Sequence, residues 1–487
     1  MKKYRLEIAV FVCGAIGMIL ELVAARVLSP YVGNSNLIWT TIIGVILTSM
    51  SLGYWIGGKI ADKNPNTDTL SKLITLGGIF TCLIPILEIV IVQNLAELAY
   101  QHLTLVAFIS TIVLFGFPSF ILATISPYTV KLKDGMKEEK IGKLSGKISS
   151  LSTIGSIIGT FLGGFVLIQM LGIRTINLVA TLLLLGIALL VKDKVTLKDT
   201  LKMIIIAIIA IGVAVFGHQL FGIANPDVLA DVESEYSRIW VKQVETNAGT
   251  YKTLQVGQGL ESYINQETGE MGAEYLKYYD LAEYFNKENK GTLLIGGAAY
   301  TYPMHYLKKY EDKTIDVVEI DEKMTEIAKN EFGLNVEDNR LKIHHQDGRS
   351  FLNYADQQYD SILIDAFKGI DAPFELTTYE ALQSAKNRLK ENGVVITNII
   401  SAIEGEESDF LHYEYKTYEA VFDDVRLFQV RNQGEEERQN LILVGIKGNP
   451  SVDESKYEEY KDLLEKEIKG FKSDAKVVTD NYTPIGN

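Results

Sequence analysis

The sequence predicts a two-part protein. An N-terminal α-helical transmembrane bundle of about seven spans is followed by an α/β doubly wound, Rossmann-like domain, itself preceded by a small antiparallel β-sheet. Three observations predict this. Seven apolar segments, each near the roughly 20 residues that cross a bilayer, lie before residue 223. Charge changes sign beyond Gly222. From Leu293 onward, short apolar runs alternate with helix-compatible stretches, the pattern of βαβ units. A chain of 487 residues is too long for one ordinary core, and we expect boundaries at 1–222, 223–272 and 273–487.

The charge split bears on partners. Up to Gly222 there are 18 Lys and Arg against 11 Asp and Glu, leaving 29 against 50 in the remainder. An acidic second part disfavours nucleic acid, whose phosphates need a basic surface, and suits a cationic ligand. The two cysteines, Cys13 and Cys82, both lie in apolar segments. They form no metal-ligand spacing and read as buried free thiols. No metal site is expected.

The apolar segments fall at 8–28, 37–58, 74–93, 104–126, 149–171, 175–191 and 203–222. The first is followed by no small-residue cleavage site, so it reads as a retained helix. Gly155, Gly159 and Gly163 recur every fourth position, as do Gly53 and Gly57, which allows close helix approach within the bundle or at a dimer face. Lys2, Lys3 and Arg5, then Lys59, Lys63 and Lys72, then the six lysines from Lys131 to Lys147, then Lys192, Lys194 and Lys198 occupy alternate loops. That bias places the amino terminus in the cytoplasm. An odd number of spans then puts the soluble part outside, unless one segment does not cross. Glu21, Glu88 and Arg26 lie in or near spans, where a charge marks either a polar path or a pair formed across helices.

The soluble part opens with residues 231–265, rich in Tyr, Val and Thr with Gly and Asn at the bends, a small antiparallel sheet. EYLKYYDLAEYFNKE, from Glu274, reads as a helix with an aromatic-acid cluster at Tyr275, Tyr278, Tyr279 and Asp280. The central stretch, Leu293 to Asp321, is a strand, a turn at Gly296 and Gly297, a helix, and a second strand closed by Glu319 and Asp321. Glu319 lies 23 residues past Gly296, close to the spacing at which an acid grips a ribose. Beyond it, Glu322 to Phe332 reads as a helix and Leu341 to His344 as a strand. Asp347 and Gly348 turn into a helix, SILIDAF is a strand ending at Asp365, Thr377 to Leu389 is a helix, and Gly393 to Ile399 is a strand. VRLFQV and NLILVGI close the sheet as a hairpin-like return.

Ligands of such sheets sit at the carboxyl ends of the strands. Here those ends carry Gly296 and Gly297, then Glu319 and Asp321, then Asp347, then Asp365. Each acid alone has a plainer use as the N-cap of the next helix. Four in succession point to one polar site.

The run from Val232 to the end resembles the spermidine synthases, polyamine aminopropyltransferases built on a class I methyltransferase fold. VESEYSRIWV, YYD, LLIGG, VVEID, HHQDGRSF and LIDAF carry the resemblance. It implies that Glu319 binds the ribose hydroxyls, Asp347 the adenine amino group and Asp365 the reacting amine as catalytic base. Gly296, Gly297, Asp321 and Gly348 would complete the nucleoside site, and Tyr278, Tyr279, Asp280 and Lys368 would line the substrate side. The two tyrosines could equally be packing residues. The expected substrate is a small-molecule sulfonium donor, S-adenosylmethionine or its decarboxylated form. Methylthioadenosine would be the product and a polyamine the acceptor, with no metal, a homodimer, and anchorage in the lipid bilayer.

The departures are as informative. The family's Gly turn carries an aspartate for the donor's amine where this chain has Ala299. A second aspartate after the catalytic one is replaced by Lys368, which places like charges together if a diamine docks there. The glutamine of the first strand is Ser237, and the histidine beside Tyr278 is Tyr279. The nucleoside half is kept and the acceptor half rewritten. Aminopropyl transfer to an amine leads. Donor-only lyase or cyclisation chemistry, methyl transfer, and a nucleoside-binding transporter or sensor are the alternatives.

Overall fold

A computed structural model describes residues 4–33, 36–63, 65–135, 140–257, 259–366, 373–482 and 484. It divides into two compact units, Met1–Arg238 and Ile239–Asn487.

Among its described residues the first unit has seven helices long and apolar enough to cross a membrane: α1 (Arg5–Val32), α2 (Leu37–Lys63), α3 (Thr67–Val92), α4 (His102–Asp134), α5 (Ile141–Met170), α6 (Ile173–Val191) and α7 (Leu197–Gly217). Each overlaps one of the seven apolar segments. The glycine rhythm is spent inside this unit. A Cβ on Gly155 or Gly159 would collide with the carbonyl oxygen of Phe11 or Ala15 on α1, and one on Gly14 would lie 2.5 Å from that of Ser152. Gly53 and Gly57 meet Phe120 and Thr124 of α4 in the same way. Backbones therefore touch, and only glycine leaves room for them.

Among the described residues, several charged groups of this unit, though not Glu21, have ion-pair partners within it. Glu7 takes an ion pair from Lys133, with Lys147 at 3.4 Å. Glu88 pairs with Arg238 and accepts from the Tyr31 hydroxyl at 3.3 Å. Arg238 also holds Asp231 at 2.7 Å, and Arg174 reaches the same carboxylate at 3.3 Å. Arg26 donates to the carbonyls of Ser234 (3.0 Å) and Glu235. Glu88 and Arg26 thus meet the segment that follows α7, where strand β1 (Val228–Glu233) lies. A buried charge with such partners escapes the several kcal/mol that an unpaired ion costs.

The second unit begins with an antiparallel meander of β2 (Arg238–Thr246), β3 (Gly249–Val256) and β4 (Gly259–Asn265). Its register shifts once. Leu254 faces Ser262 and Gln255 faces Leu260, so Glu261 is an extra, unpaired residue: a β-bulge. Glu274–Leu281 follows as a 3₁₀ helix with one α turn, Ala282–Phe285, rather than the single α-helix expected. Its buried tyrosines pack on the core, and tertiary packing overrides weak helix propensity here.

The main sheet has seven strands in the order β10-β11-β9-β8-β5-β6-β7. In chain order these are β5 (Gly291–Ile295), α8 (Thr301–Lys309), β6 (Thr314–Val318), α9 (Glu322–Ile327), β7 (Leu341–His344), α10 (Gly348–Tyr354), β8 (Tyr359–Ile364), α11 (Tyr379–Arg388), β9 (Leu389–Ser401), α12 (Asp409–Val421), β10 (Asp424–Gln429), β11 (Gln439–Ile446) and α13 (Tyr457–Leu464). β5 to β9 pair in parallel, and β11 lies antiparallel between β9 and β10. This is the doubly wound methyltransferase-type sheet. Its order reverses at β5, so the carboxyl ends of β5, β6 and β8 frame the crevice where such sheets bind ligands.

Candidate active site

The turn after β5 is built under strain. Gly296 has φ +95°, and both Ala298 (φ 45°) and Tyr300 (φ 55°) are left-handed although neither is glycine. Such residues cost of order 1–3 kcal/mol each and persist only where surroundings fix them. Here the surroundings are on hand. Glu319, at the end of β6, accepts through Oε2 from the N–H groups of Gly297 (2.8 Å) and Ala298 (3.1 Å) and through Oε1 from that of Asp321 (2.9 Å). The Tyr300 ring is fully buried and its hydroxyl meets Thr325 at 2.6 Å. Desolvation pushes Glu319 above the usual carboxylate range, and the three N–H groups pull it back part of the way.

Asp365 follows β8 and is half-buried. The Tyr275 hydroxyl donates to Oδ2 at 3.1 Å and the Asn398 amide to Oδ1 at 3.3 Å. Desolvation raises its carboxyl to about 6, with the Asn398 amide and the Tyr275 and Tyr279 hydroxyls holding it from going further. Tyr279 faces the same carboxyl with its hydroxyl buried. Tyr275 and Tyr279 pack edge-to-face at 6.0 Å, and Tyr279 meets Tyr302 at 5.2 Å. Burial first, and the Asp365 charge second, keep both phenols protonated.

The remaining expected residues separate into groups. Asp321 is buried and caps α9 through the Lys323 N–H (3.0 Å) beside Glu319. Asp347 is exposed and caps α10 through the Ser350 N–H (2.8 Å), the plainer role open to it. Gly348 packs on the end of β5, where a Cβ would come 2.6 Å from Ile295. Tyr278 turns into the core: its ring packs on Phe428 and its hydroxyl donates to the Gln429 carbonyl at 3.1 Å. Asp280 accepts from Tyr302 at 3.1 Å and pairs with Lys309 at 2.9 Å and His305 at 3.3 Å. Burial alone would raise it, yet the His305 and Lys309 contacts hold it below the usual range. Lys368 lies outside the described residues.

Asn398 and Glu261 escaped the sequence reading, and Tyr275 was named in the aromatic-acid cluster but given no site role. Tyr275 and Tyr279 lie four apart in the sequence, and their rings meet edge-to-face. Asn398 interrupts the apolar run VVITNII, a visible signal, and is itself held by Asn440 at 3.0 Å. Glu261 depends on the bulge, and nothing local in GLESY announces it. Among the described residues no group of three or more His, Cys, Asp or Glu is placed to hold a metal ion.

Residues 278–431, within the second unit, match the spermine/spermidine synthase domain family. A polyamine aminopropyltransferase of Vibrio vulnificus is 26% identical over 215 residues, covering 43% of this chain and 70% of that protein. Polyamine aminopropyltransferase 2 of Aquifex aeolicus is 24% identical over 418 residues, covering 80% of this chain and 78% of its own. That span is longer than the second unit, so it includes part of the helical one. Among solved structures, a probable spermidine synthase from Corynebacterium glutamicum shares 18% identity, covering 52% of this chain and 99% of its own at a TM-score of 0.40. Spermidine synthase from Thermotoga maritima shares 18%, covering 53% and 82% at 0.38.

Proposed function

We propose that this protein is a membrane-anchored aminopropyltransferase. Its second unit takes a sulfonium nucleoside, decarboxylated S-adenosylmethionine, and transfers the aminopropyl group to an amine, releasing methylthioadenosine. The nitrogen of the acceptor attacks the methylene carbon beside sulfur. The C–S bond breaks with its electron pair passing to sulfur, and the nitrogen gives up a proton. Asp365 takes that proton. The observation that carries the reading is the state of this carboxyl: at about 6 it is ionised at neutral pH yet basic enough to accept. Tyr275 and Asn398 fix its two oxygens in direction. Glu319, holding the Gly297 turn, is the candidate ribose acid, and Asp347 the candidate adenine contact. The family match over residues 278–431 supports the reaction class.

The first unit anchors the enzyme in a bilayer through seven helices long and apolar enough to cross it. A second reading has one specific observation in its favour. Lys368 stands where the resemblance places the acid that holds a diamine, and attack by the donor's own amine, with no external acceptor, needs no diamine site. Purified protein incubated with each sulfonium donor, with and without putrescine, separates these outcomes. Methylthioadenosine that requires putrescine supports transfer, and methylthioadenosine without it supports cyclisation or lysis. Adenosylhomocysteine as the product would overturn both.

A further inference from the structure

The bulge at Glu261 lies against the turn that holds the nucleoside residues. Its neighbour Ser262 is buried and accepts from the Ala299 N–H at 3.4 Å, so β4 touches the turn at the residue where the family's acid is missing. In a regular strand Glu261 would point to the opposite face from Ser262. The extra residue cancels that alternation and lets both side chains serve the same side. The groups that face Glu261 are Asp365 from the end of β8, Glu319 from the end of β6 and Tyr275 from the 3₁₀ helix. Its Oε1 is shut off from solvent and has no hydrogen-bond partner among the described residues. A carboxyl oxygen left in that condition costs stability unless a ligand donates to it.

We infer that Glu261 is the binding group for the terminal ammonium of the aminopropyl donor, supplied from the bulge of β4 in place of the acid that the glycine turn lacks. The inference rests on the sulfonium-nucleoside reading above and deepens it by naming what recognises the donor's amine. The position fits the chemistry. A nucleoside whose ribose lies at Glu319 and whose reacting carbon lies at Asp365 has its aminopropyl arm in the space that Glu261 shares with both. The donor's arm ends in a primary ammonium, three N–H donors with one positive charge. Desolvation, then the charges of Asp365 and Glu319, raises the Glu261 carboxyl to about 8. In the empty site it therefore carries a proton at neutral pH, and an arriving ammonium expels that proton. Donor binding and proton release are one event.

The test compares two neutral thioethers on the full-length protein in detergent. Decarboxylated S-adenosylhomocysteine carries the amine without the sulfonium charge, and methylthioadenosine carries neither. In the wild type the amine-bearing thioether binds more tightly, and calorimetry in two buffers of different ionisation heat shows roughly one proton released per ligand at pH 7. Glu261→Gln weakens the amine-bearing thioether between about tenfold and hundredfold, leaves methylthioadenosine within about twofold, and abolishes the proton release. Equal weakening of both ligands overturns the inference, since Glu261 would then only shape the site. So does a wild type that binds the amine-bearing thioether without releasing a proton, a result that needs no variant to fold. Failure of the wild type to bind either thioether is a different outcome: it removes the nucleoside reading itself, and this inference with it.

Discussion

Gly296 and Asp365 are packed backbone to backbone: a methyl group on Gly296 would run into the carbonyl oxygen of Asp365. The first turn of the nucleotide half and the strand end bearing the candidate base are thus set by one contact. With φ at +95°, Gly296 also occupies a conformation that side-chain-bearing residues rarely adopt. Gly296→Ala is expected to push Asp365 out of line and lower turnover by about a hundredfold, the scale set by a misplacement near 1 Å. Circular dichroism and gel filtration should show a folded protein, so a variant that keeps full activity would break the link between turn and base.

Asp365→Asn removes the proton acceptor while keeping the shape of the site. Turnover should fall by about 10² to 10⁴, the range for loss of a general base, with methylthioadenosine affinity little changed. In the wild type the base must be ionised, so kcat/KM should decline as pH falls through about 6. A profile flat from pH 8 to pH 5 would remove Asp365 from this role.

Glu414, on α12, is fully buried with one oxygen unpartnered among the described residues, and desolvation holds it well above the usual carboxylate range, opposed by the Thr377 hydroxyl. A carboxyl whose folded value is raised favours folding fully below its unfolded value, and that contribution is lost as pH rises through the folded one. Glu414→Gln imitates the protonated acid. It should match the wild type near pH 4 and become more stable above it, by up to about 1.4 kcal/mol per pH unit until the folded value is reached. Thermal melts at pH 4, 6 and 8 measure this, and parallel curves would show that Glu414 does not titrate on unfolding.

Gly159→Ala places a methyl against the carbonyl of Ala15, whereas the same change at Gly212 on α7 meets nothing within 4 Å. Overpacking of this sort costs about 1–3 kcal/mol. Detergent-solubilised Gly159→Ala should melt earlier than the wild type, and Gly212→Ala should melt with it or slightly later. Equal melting of all three would mean that α1 and α5 are not in contact.

The chain displays its fold openly. Seven apolar runs, and the sheet's strand ends from Gly296 to Asp365, are local patterns, and hydropathy and Gly or acid punctuation read them directly. Glu319 was legible because its distance from Gly296 is a property of one βαβ unit. Tyr278 was not, since whether a tyrosine of YYD faces the base or the core depends on how a short 3₁₀ helix seats against β10 and β11. Asp280 gave no hint of Lys309, which sits 29 residues on and meets it only through α8. Glu261 was the least visible of all. A bulge is decided by the pairing of β3 with β4, and a window along one strand cannot register a mismatch with another.

The packing of α1 on α5 also bears on how the protein is made. α1, with Gly14 and the buried Glu7 on its surface, is made before α4 and α5, and finds Lys133 only when α4 has been synthesised and Gly155 and Gly159 only when α5 has. Until Lys133 is made, α1 waits with a carboxylate and a bare backbone groove uncovered. The bundle is therefore closed by its later helices, and a ribosome stalled before α5 would leave a segment suited to capture by insertion factors or quality-control proteases.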